Sequence, residues 1–368
     1  MIMSEKFVAS LLLAGQGFVW MPAMAQNTLT VPIEVVRISN PGLVTESPGS
    51  VTLYRLNPQY TLRMVQDSSR TELSLGGLIE RSSNTDLSAS RTLPSVGLLW
   101  ERSTPVAVLQ LRASLEEAST RETEFAEFGR VTRDSTQRTG VLGGQWTREL
   151  EAGTSLELAT SYLRVSYDTP FLVAYNEARG TVTYRFDSSP NARYALTASV
   201  ARLNPDGSAE SASRGGVGLG YEIDLSEGLT LSATAGAVRT TALSRKTHPV
   251  GFLRLTYLGE RVRSDVGWSR DVSASGTVGG YVRSENVDGS MIFPFTADTS
   301  LSVGIGHARS LGGVRDATAS ANVRILSELT RFWMFTIGLE HRRSMPSGLP
   351  TAQGNAVALG LIYSRPGS

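Results

Sequence analysis

The 368-residue sequence contains no cysteine, three histidines, and only two lysines among its 35 basic side chains. The absence of cysteine excludes disulfides, cysteine-ligated metals and lipid attachment at an N-terminal cysteine. Acidic and basic side chains nearly cancel, leaving a formal net charge of +1, so no excess of one sign attracts nucleic acid. Beyond the N-terminus, no apolar run reaches the roughly 18 residues of a transmembrane helix. We therefore exclude a disulfide scaffold, a nucleic-acid partner and a helical membrane protein.

The first 25 residues have the pattern of a secretory signal peptide. Lys6 precedes the apolar stretch Phe7–Val19, and Ala23 and Ala25 supply the small residues of a cleavage site. We predict export and cleavage after Ala25. An uncleaved anchor helix is the alternative, but the apolar stretch is short and Pro22 follows it.

Residues 26–50 contain three prolines around one short apolar run. Proline and glycine at this density favour loops and turns over regular structure. We predict a periplasmic N-terminal extension at 26–50, with one strand at most, and a separate domain from residue 51 to residue 368.

From residue 51 onward, apolar and polar residues alternate in one segment after another. In Thr181–Val200, Val182, Tyr184 and Phe186 alternate with polar residues, a Ser-Ser-Pro-Asn turn follows, and the alternation resumes. Period two on both sides of a turn predicts a β-hairpin with one apolar and one polar face. Seventeen segments of this kind follow one another, joined by turns that alternate between short and long. Short turns on one rim and long loops on the other are typical of an outer-membrane barrel.

We therefore predict an all-β fold, a single transmembrane antiparallel β-barrel of about 16–18 strands. Closure requires an even number, and either Val31–Ser39 or a split of the first segment at Pro58 would supply an eighteenth strand. In Arg138–Leu150 the alternation fits poorly, and a bulge is the explanation we offer. A soluble all-β exported domain would also show one apolar face and stays open as an alternative.

Charged residues of both signs recur on the polar face of the predicted strands. Two interpretations remain open: the charges pair across the barrel and seal it, or they line a wet passage for hydrated polar solutes. The predicted pore-lining residues are Glu72, Arg112, Glu157, Arg185, Glu222, Arg254, Arg263 and Asp265.

The segment Glu116–Asp134 is the most highly charged connection. It suits either a constriction loop folded into the lumen or a solvated outer loop, and we favour the outer loop. If the segment is helical, Glu117 and Arg121 form an i,i+4 pair.

No catalytic or metal site emerges from the residues. His248, His307 and His341 have no nucleophile elbow and no His-x-x-x-His spacing around them. His307 is the candidate we retain for an outer-membrane hydrolase. The glycines of 215–220 precede further alternation instead of a helix, so we interpret them as small lumen residues and not as a phosphate loop. We predict neither catalysis nor a cofactor.

The last strand, Gly354–Tyr363, resembles the C-terminal recognition strand of bacterial outer-membrane barrels, with Gly360, Leu361 and Tyr363 carrying the pattern. Together with the segments Tyr54–Arg63 and Thr71–Leu75, the whole chain resembles the Gram-negative barrels associated with exopolysaccharide export. That resemblance implies a passive export conduit that works with periplasmic polysaccharide-export components.

The function we favour from the sequence is this pore or conduit in the cell outer membrane. A porin for small polar solutes, a plugged structural barrel and a hydrolase are the alternatives. The expected partners are outer-membrane lipid, lipopolysaccharide and the barrel assembly machinery.

Overall fold

The structure, a computed structural model, describes residues 24–129, 134–207, 210–241, 247–311 and 316–366. Every strand in these ranges belongs to one antiparallel sheet, and β1 pairs with β19, so the sheet closes on itself. The predicted single antiparallel barrel is confirmed. The elements are β1 (Met24–Ile38), β2 (Val51–Leu56), β3 (Gln59–Gln66), β4 (Ser69–Ser82), β5 (Arg91–Ser103), β6 (Ala107–Ser119), α1 (Thr120–Phe128), β7 (Thr136–Glu151), β8 (Thr154–Tyr167), β9 (Tyr175–Ser189), β10 (Ala192–Pro205), β11 (Ala212–Ser226), β12 (Leu229–Thr240), β13 (Thr247–Leu258), β14 (Arg263–Ser275), β15 (Gly280–Pro294), β16 (Thr299–Ser310), β17 (Ala317–Thr330), β18 (Trp333–Met345) and β19 (Ala352–Pro366).

The segments β2 and β3 are two halves of one strand, interrupted at Asn57 and Pro58. Both halves pair with β1 on one side and with β4 on the other, in the same register. Pro58 cannot donate to the ladder, but Asn57 still donates to the Pro32 carbonyl oxygen of β1 at 2.9 Å. The nineteen segments of the sheet thus form eighteen strands across the wall, an even number as closure requires.

The two rims of the barrel differ in the length of their connections. One rim, the short-turn rim, has tight reversals such as Pro190-Asn191 between β9 and β10. The other, the long-loop rim, has the longer connections, including 39–50 and 120–135. β1 begins and β19 ends at the short-turn rim.

The structure differs from the predicted periplasmic extension at 26–50. β1 forms barrel wall, and residues 39–50 lie at the long-loop rim, where the Asn40 amide donates to the Gln353 carbonyl oxygen at 3.0 Å. The sequence offered Val31–Ser39 only as a possible eighteenth strand. One edge of β1 pairs with β19, more than 300 residues later, and no local pattern reveals that pairing.

Large apolar side chains cover the outer face of the barrel. Leu142 and Leu219, for example, are 63 % and 55 % exposed. Near the short-turn rim, Phe186, Tyr194 and Tyr221 form a row of contacting rings, with centroids 5.2 and 4.9 Å apart. An apolar band edged by aromatic rings is the outer surface expected of a barrel in lipid.

Two segments leave the wall and fill the barrel mouth at the long-loop rim. The first is α1, which reaches from the end of β6 to the inner wall of β15–β17. The second is the end of the β14–β15 hairpin, residues 271–284, which we call the inward hairpin. It packs on the inner wall of β8–β12, and the apolar cluster formed there contains Val165, Tyr175, Leu203, Ala212, Val238, Val272, Ala274 and Tyr281.

These two segments correct the sequence-based picture of both connections. The favoured outer position of Glu116–Asp134 is wrong, because α1 lies inside the barrel. Glu117 belongs to β6 and pairs with Arg138 at 2.8 Å, so the predicted pair with Arg121 does not form.

β7 is continuous through Arg138–Leu150, and its register shifts only beside the turn. No helix in the described ranges has the length and hydrophobicity needed to cross a membrane.

Candidate functional site in the barrel lumen

The residues predicted to line a pore all stand at inward positions of the wall. Arg185 alternates with the exposed Tyr184 and Phe186, and Arg254 alternates with the exposed Leu253 and Leu255. Because successive strand residues point to opposite faces, these arginines point into the lumen. The same alternation places Glu72, Arg112, Glu157, Glu222, Arg263 and Asp265 on the inner face.

The lumen charges pair along the wall, with neighbours on the same or nearby strands. Arg185 on β9 contacts Glu157 on β8 at 2.6 Å. Arg254 on β13 lies between Asp265 on β14 at 3.5 Å and Asp288 on β15 at 3.3 Å. Each of these pairs joins neighbouring or next-neighbouring strands, and none of the three crosses the barrel.

Two other predicted residues are also paired laterally. Glu222 contacts Arg193 at 3.3 Å, and Glu72 accepts a hydrogen bond from Arg70. Arg112 lines a wall cavity of about 250 Å³ together with Glu157, while Arg263 stands exposed near the short-turn rim. The predicted residues therefore form a distributed lining and do not converge on one site.

The helix α1 is anchored to the opposite wall at its C-terminal end. It ends at Gly129, whose left-handed φ of 65° is the usual helix C-cap geometry. A Cβ at Gly129 would collide with the Ala308 carbonyl oxygen of β16, so only glycine allows this approach. The Thr318 hydroxyl of β17 donates to the Phe125 carbonyl oxygen at 2.9 Å.

The inward hairpin is anchored by polar contacts to the far wall. The Tyr281 hydroxyl donates to the Glu177 carboxylate at 2.9 Å, and the Arg214 guanidinium donates to the Val272 carbonyl oxygen. The N–H of Val173, in the loop before β9, donates to the Gly276 carbonyl oxygen at 2.8 Å. These contacts hold the hairpin across the mouth.

A cluster of charges lies between α1 and the inner wall of β2, β4 and β5. The Glu80 carboxylate, 3 % exposed, contacts Arg55 at 2.7 Å and Arg91 at 3.2 Å. Arg91 also contacts Asp134, just beyond α1, at 2.5 Å, and Arg55 reaches Glu122 of α1 at 3.4 Å. The arginines thus connect the barrel wall to the loop that carries α1.

The environment of this cluster shifts the pKa values of two loop residues. Burial alone would raise the pKa of Asp134, but the hydrogen bond from Arg91 and the charges of Arg121 and Arg91 lower it below its ordinary value. Burial lowers the pKa of Arg121. In the described part of the chain Arg121 has no hydrogen-bond partner for its Nε. Asp134 is therefore an anion that stabilises the docked loop at neutral pH.

Two spaces remain beside α1. One, of about 480 Å³, lies between Ala126–Phe128 and the inner wall of β12–β15, with Thr234, Ser269 and Asn286 among its lining. The other, of about 60 Å³, lies inside the charge cluster and has room for a few water molecules. The wider space is lined by both polar and apolar side chains, Phe128 and Phe252 among the apolar ones.

Sequence reasoning missed the residues that build the constriction. Strand alternation could have found Arg55 and Glu80, because both continue the inward parity of their strands. Glu124, Asp134 and Thr277 lie in or beside connections, where no periodicity marks the inward side. Their role depends on which segments fold into the lumen.

The histidines do not assemble a catalytic site among the described residues. His248 is a buried residue of β13. His307 faces outward on β16, and His341, also outward, contacts Asn355 at 2.8 Å. No group of three or more His, Cys, Asp or Glu residues that could hold a metal occurs in the described ranges.

The predicted targeting residues lie at the two ends of the barrel sequence. Ala23 falls outside the described residues, and Ala25 lies in β1, opposite Met64 of β3. Gly360, Leu361 and Tyr363 belong to β19, where the Tyr363 ring lies 5.2 Å from that of Trp333. Signal cleavage after Ala25 and assembly recognition of β19 stay predictions.

The barrel is similar to solved bacterial structures over nearly its whole length. OccAB4 of Acinetobacter baumannii aligns with a TM-score of 0.52 at 8% identity, covering 93% of this chain and 98% of that one. OccK3 (OpdO) of Pseudomonas aeruginosa aligns with a TM-score of 0.51 at 11% identity, covering 93% and 96%. The outer membrane protein opdK of Pseudomonas aeruginosa aligns at 0.50 and 11% identity, covering 93% and 98%.

At these identities the similarity establishes the barrel fold alone. No protein-family model matches the sequence, and no curated protein matches it. The resemblance to exopolysaccharide-export barrels gains no support from these comparisons.

Proposed function

We propose that this protein is an outer-membrane porin for small hydrated polar solutes, constricted at its outer mouth. The observation that carries the proposal is α1 docked inside a closed barrel whose inner wall is charged. A polar lumen behind an apolar outer belt is the arrangement by which porins pass water-soluble compounds through lipid. One of the similar structures is named an outer membrane protein, which supports the location.

The orientation follows from the rims. Short turns and both ends of the barrel sequence occupy one rim, which in outer-membrane barrels is the periplasmic rim. The long-loop rim, with α1 and the inward hairpin, then faces the cell exterior. Solutes entering from outside meet the constriction before they reach the charged wall.

The two inserts docked in the mouth argue against the polymer conduit that we first favoured. With α1 and the inward hairpin docked, the spaces beside α1 have volumes of about 480 and 60 Å³. The wider space falls within the size range of small-ligand pockets. A sugar polymer would have to pass this mouth, where hydrogen bonds to the wall hold both α1 and the inward hairpin.

The wall charges give the passage its electrostatic character. Near Arg254 two carboxylates, Asp265 and Asp288, accompany one guanidinium, and Glu157 and Arg185 form a pair elsewhere on the wall. Fixed charges on a pore wall select among ions by their electrostatic potential as well as by the width of the pore. Polar solutes can exchange hydration water for these side chains as they pass.

Conductance of the purified barrel in a planar bilayer tests the proposal. We expect small, discrete current steps, and in liposome swelling we expect uptake of monosaccharides but not of long oligosaccharides. A variant in which a short Gly-Ser linker replaces residues 120–134 should conduct severalfold more and admit larger sugars.

A plugged structural barrel is the second candidate, favoured by the apolar cluster under the inward hairpin. It predicts no current from the native barrel and current only from the shortened variant. Passage of long polysaccharide through the native barrel would contradict both hypotheses and restore the export function.

A further inference from the structure

The outer face of the barrel carries different side chains near its two rims. Outward aromatic residues concentrate near the short-turn rim, namely Trp100, Trp146, Tyr184, Phe186, Tyr194, Tyr221, Tyr257, Phe293, Trp333, Phe335 and Tyr363. Outward arginines concentrate near the long-loop rim, namely Arg37, Arg81, Arg138, Arg164, Arg202, Arg239, Arg270, Arg309 and Arg343. An outer surface with this polarity is suited to a membrane whose two leaflets differ.

Several of these arginines are neutralised by carboxylates of the same chain. Arg138 contacts Glu117 and Asp168, both at 2.8 Å, and Arg164 contacts Asp206 at 2.5 Å. These carboxylates offset the positive potential of the arginines, so the arginines attract an anionic ligand only weakly.

Arg202 and Arg239 differ from this group. Both are exposed, on β10 and β12, and neither has an ion-pair or hydrogen-bond partner within the described ranges. β11 alone lies between their strands, and in its ladder Ser213 stands opposite Arg202 while Gly215 stands opposite Arg239. Two strand spacings are about 10 Å, so both guanidinium groups can reach one phosphorylated headgroup.

A groove on the outer wall begins at these arginines. It has a volume of about 1240 Å³ and includes Arg202 and Arg239 in its lining. Its floor is made of small outward residues such as Gly144, Gly180 and Gly215. A second groove of about 780 Å³ shares part of this lining and continues along Leu158, Val182, Ala198 and Val217 toward the middle of the wall. The surface is therefore apolar along the wall and cationic at its long-loop end.

We infer that this surface binds lipopolysaccharide of the outer leaflet. Its lipid A phosphates would contact Arg202 and Arg239, and an acyl chain would lie along the groove. Arginine matches phosphate with two parallel hydrogen bonds, and cationic residues beside an apolar surface attract anionic lipid headgroups. The inference rests on the proposed outer-membrane location, because only that location puts the long-loop rim in a leaflet of phosphorylated glycolipid.

Binding of purified lipid A to the purified barrel in detergent, counted by native mass spectrometry, tests the inference. The double variant Arg202→Gln/Arg239→Gln should bind bisphosphorylated lipid A about tenfold or more weakly, since it loses two charge-assisted contacts. The matched control is Arg102→Gln/Arg148→Gln, which removes two exposed outward arginines near the short-turn rim and should bind like the wild type.

A third variant tests the groove itself. Gly180→Leu places a side chain in the groove at a position where an added Cβ meets only Val200 Cγ2, at 3.8 Å. We expect weaker lipid A binding with unchanged heat-modifiable gel migration, which reports the folded barrel. Dephosphorylated lipid A should bind the wild type as weakly as bisphosphorylated lipid A binds the Arg202/Arg239 variant.

Three results would overturn the inference: unchanged lipid A binding by the Arg202/Arg239 variant, equal loss in the Arg102/Arg148 control, or phosphatidylglycerol binding as tightly as lipid A. Disulfide cross-linking of the Ala198→Cys variant to a second copy would also overturn it by assigning the groove to an oligomer interface. Conductance is measured separately in bilayers free of lipopolysaccharide, so a failure of the channel proposal is distinguishable from a failure of this one.

Discussion

The hydroxyl group of Thr277 donates a hydrogen bond of 2.9 Å to the carboxylate of Glu124, joining the inward hairpin to α1 across the barrel mouth. Glu124 is 1 % exposed, and 153 residues separate the two partners. Loss of a hydrogen bond to a buried charged group costs about 1–3 kcal/mol. The two inserts are therefore coupled, and loosening one should loosen the other.

Thr277→Val removes this donor at nearly constant volume. We expect a higher mean conductance and more frequent open events in single-channel recordings, with unchanged barrel assembly. Thr147→Val, at an inward position of β7 away from both inserts, is the control and should behave as wild type. Equal conductance of Thr277→Val and wild type would show that the contact does not hold the mouth closed.

Gly129→Ala tests the docking of α1 on β16. The φ of 65° at this position disfavours an alanine, and the added Cβ would meet the Ala308 carbonyl oxygen. We expect α1 to leave the wall, which would raise conductance and make the loop sensitive to protease. Gly42→Ala, in the 39–50 connection and with its nearest contact at 3.8 Å, should change neither property.

The charge on Asp134 predicts acid opening of the mouth. The pKa of Asp134 is lowered in the folded protein, so its carboxylate contributes stability above the ordinary value of 3.8 and loses that contribution as pH falls through the lowered value. Conductance should stay constant from neutral pH down to about 4 and rise below it. Asp134→Asn should conduct more at neutral pH and show no such rise. A rise in conductance near pH 6 would show that the protonation of groups other than Asp134 opens the mouth.

Neighbouring residues on β11 provide a test of the two faces. Leu219→Arg puts a charge on the outer surface near mid-barrel, which in a bilayer costs about 2–4 kcal/mol and should impair insertion. Gly218→Arg points into the lumen, where an added Cβ finds its nearest contact at 3.5 Å, and should assemble normally with reduced conductance. Heat-modifiable gel migration measures assembly, and identical behaviour of the two variants would contradict the face assignment.

Arg254→Gln should change ion selectivity. The substitution leaves Asp265 and Asp288 without the guanidinium that lies 3.5 and 3.3 Å from them, so the wall becomes more negative. We expect the reversal potential in a salt gradient to shift toward cation selectivity. Arg102→Gln, on the outer face, should leave the reversal potential unchanged. A shift toward anions would argue against Arg254 as a pore-lining charge.

The sequence predicted the barrel because a strand in lipid needs side chains of two kinds in strict alternation. Val182, Tyr184 and Phe186 were predicted to share an apolar face and Arg185 to line the pore. In the structure the first three are exposed on the outer face, and Arg185 contacts Glu157 on the inner one. Alternation with period two is a local property, so the sequence of each strand by itself shows which side chains face out. For the same reason, all eight residues predicted to line the pore lie on the inner face in the structure.

β1 shows where local reasoning ended. Val31–Ser39 was offered as a possible eighteenth strand, but the place of β1 in the wall depends on pairing with β19 and with β2 and β3. The pairing with β19 joins strands more than 300 residues apart. It is set by closure of the whole sheet, which no window of sequence contains.

By itself, the sequence determined the architecture, the orientation of the side chains and the chemical character of the inner wall. Only the tertiary structure decided what fills the barrel. α1 and the inward hairpin are loop-derived, polar and aperiodic, and their inward position depends on contacts such as Thr318 with Phe125 and Tyr281 with Glu177. Those contacts join residues more than 100 positions apart, so they exist only once the closed wall brings them together.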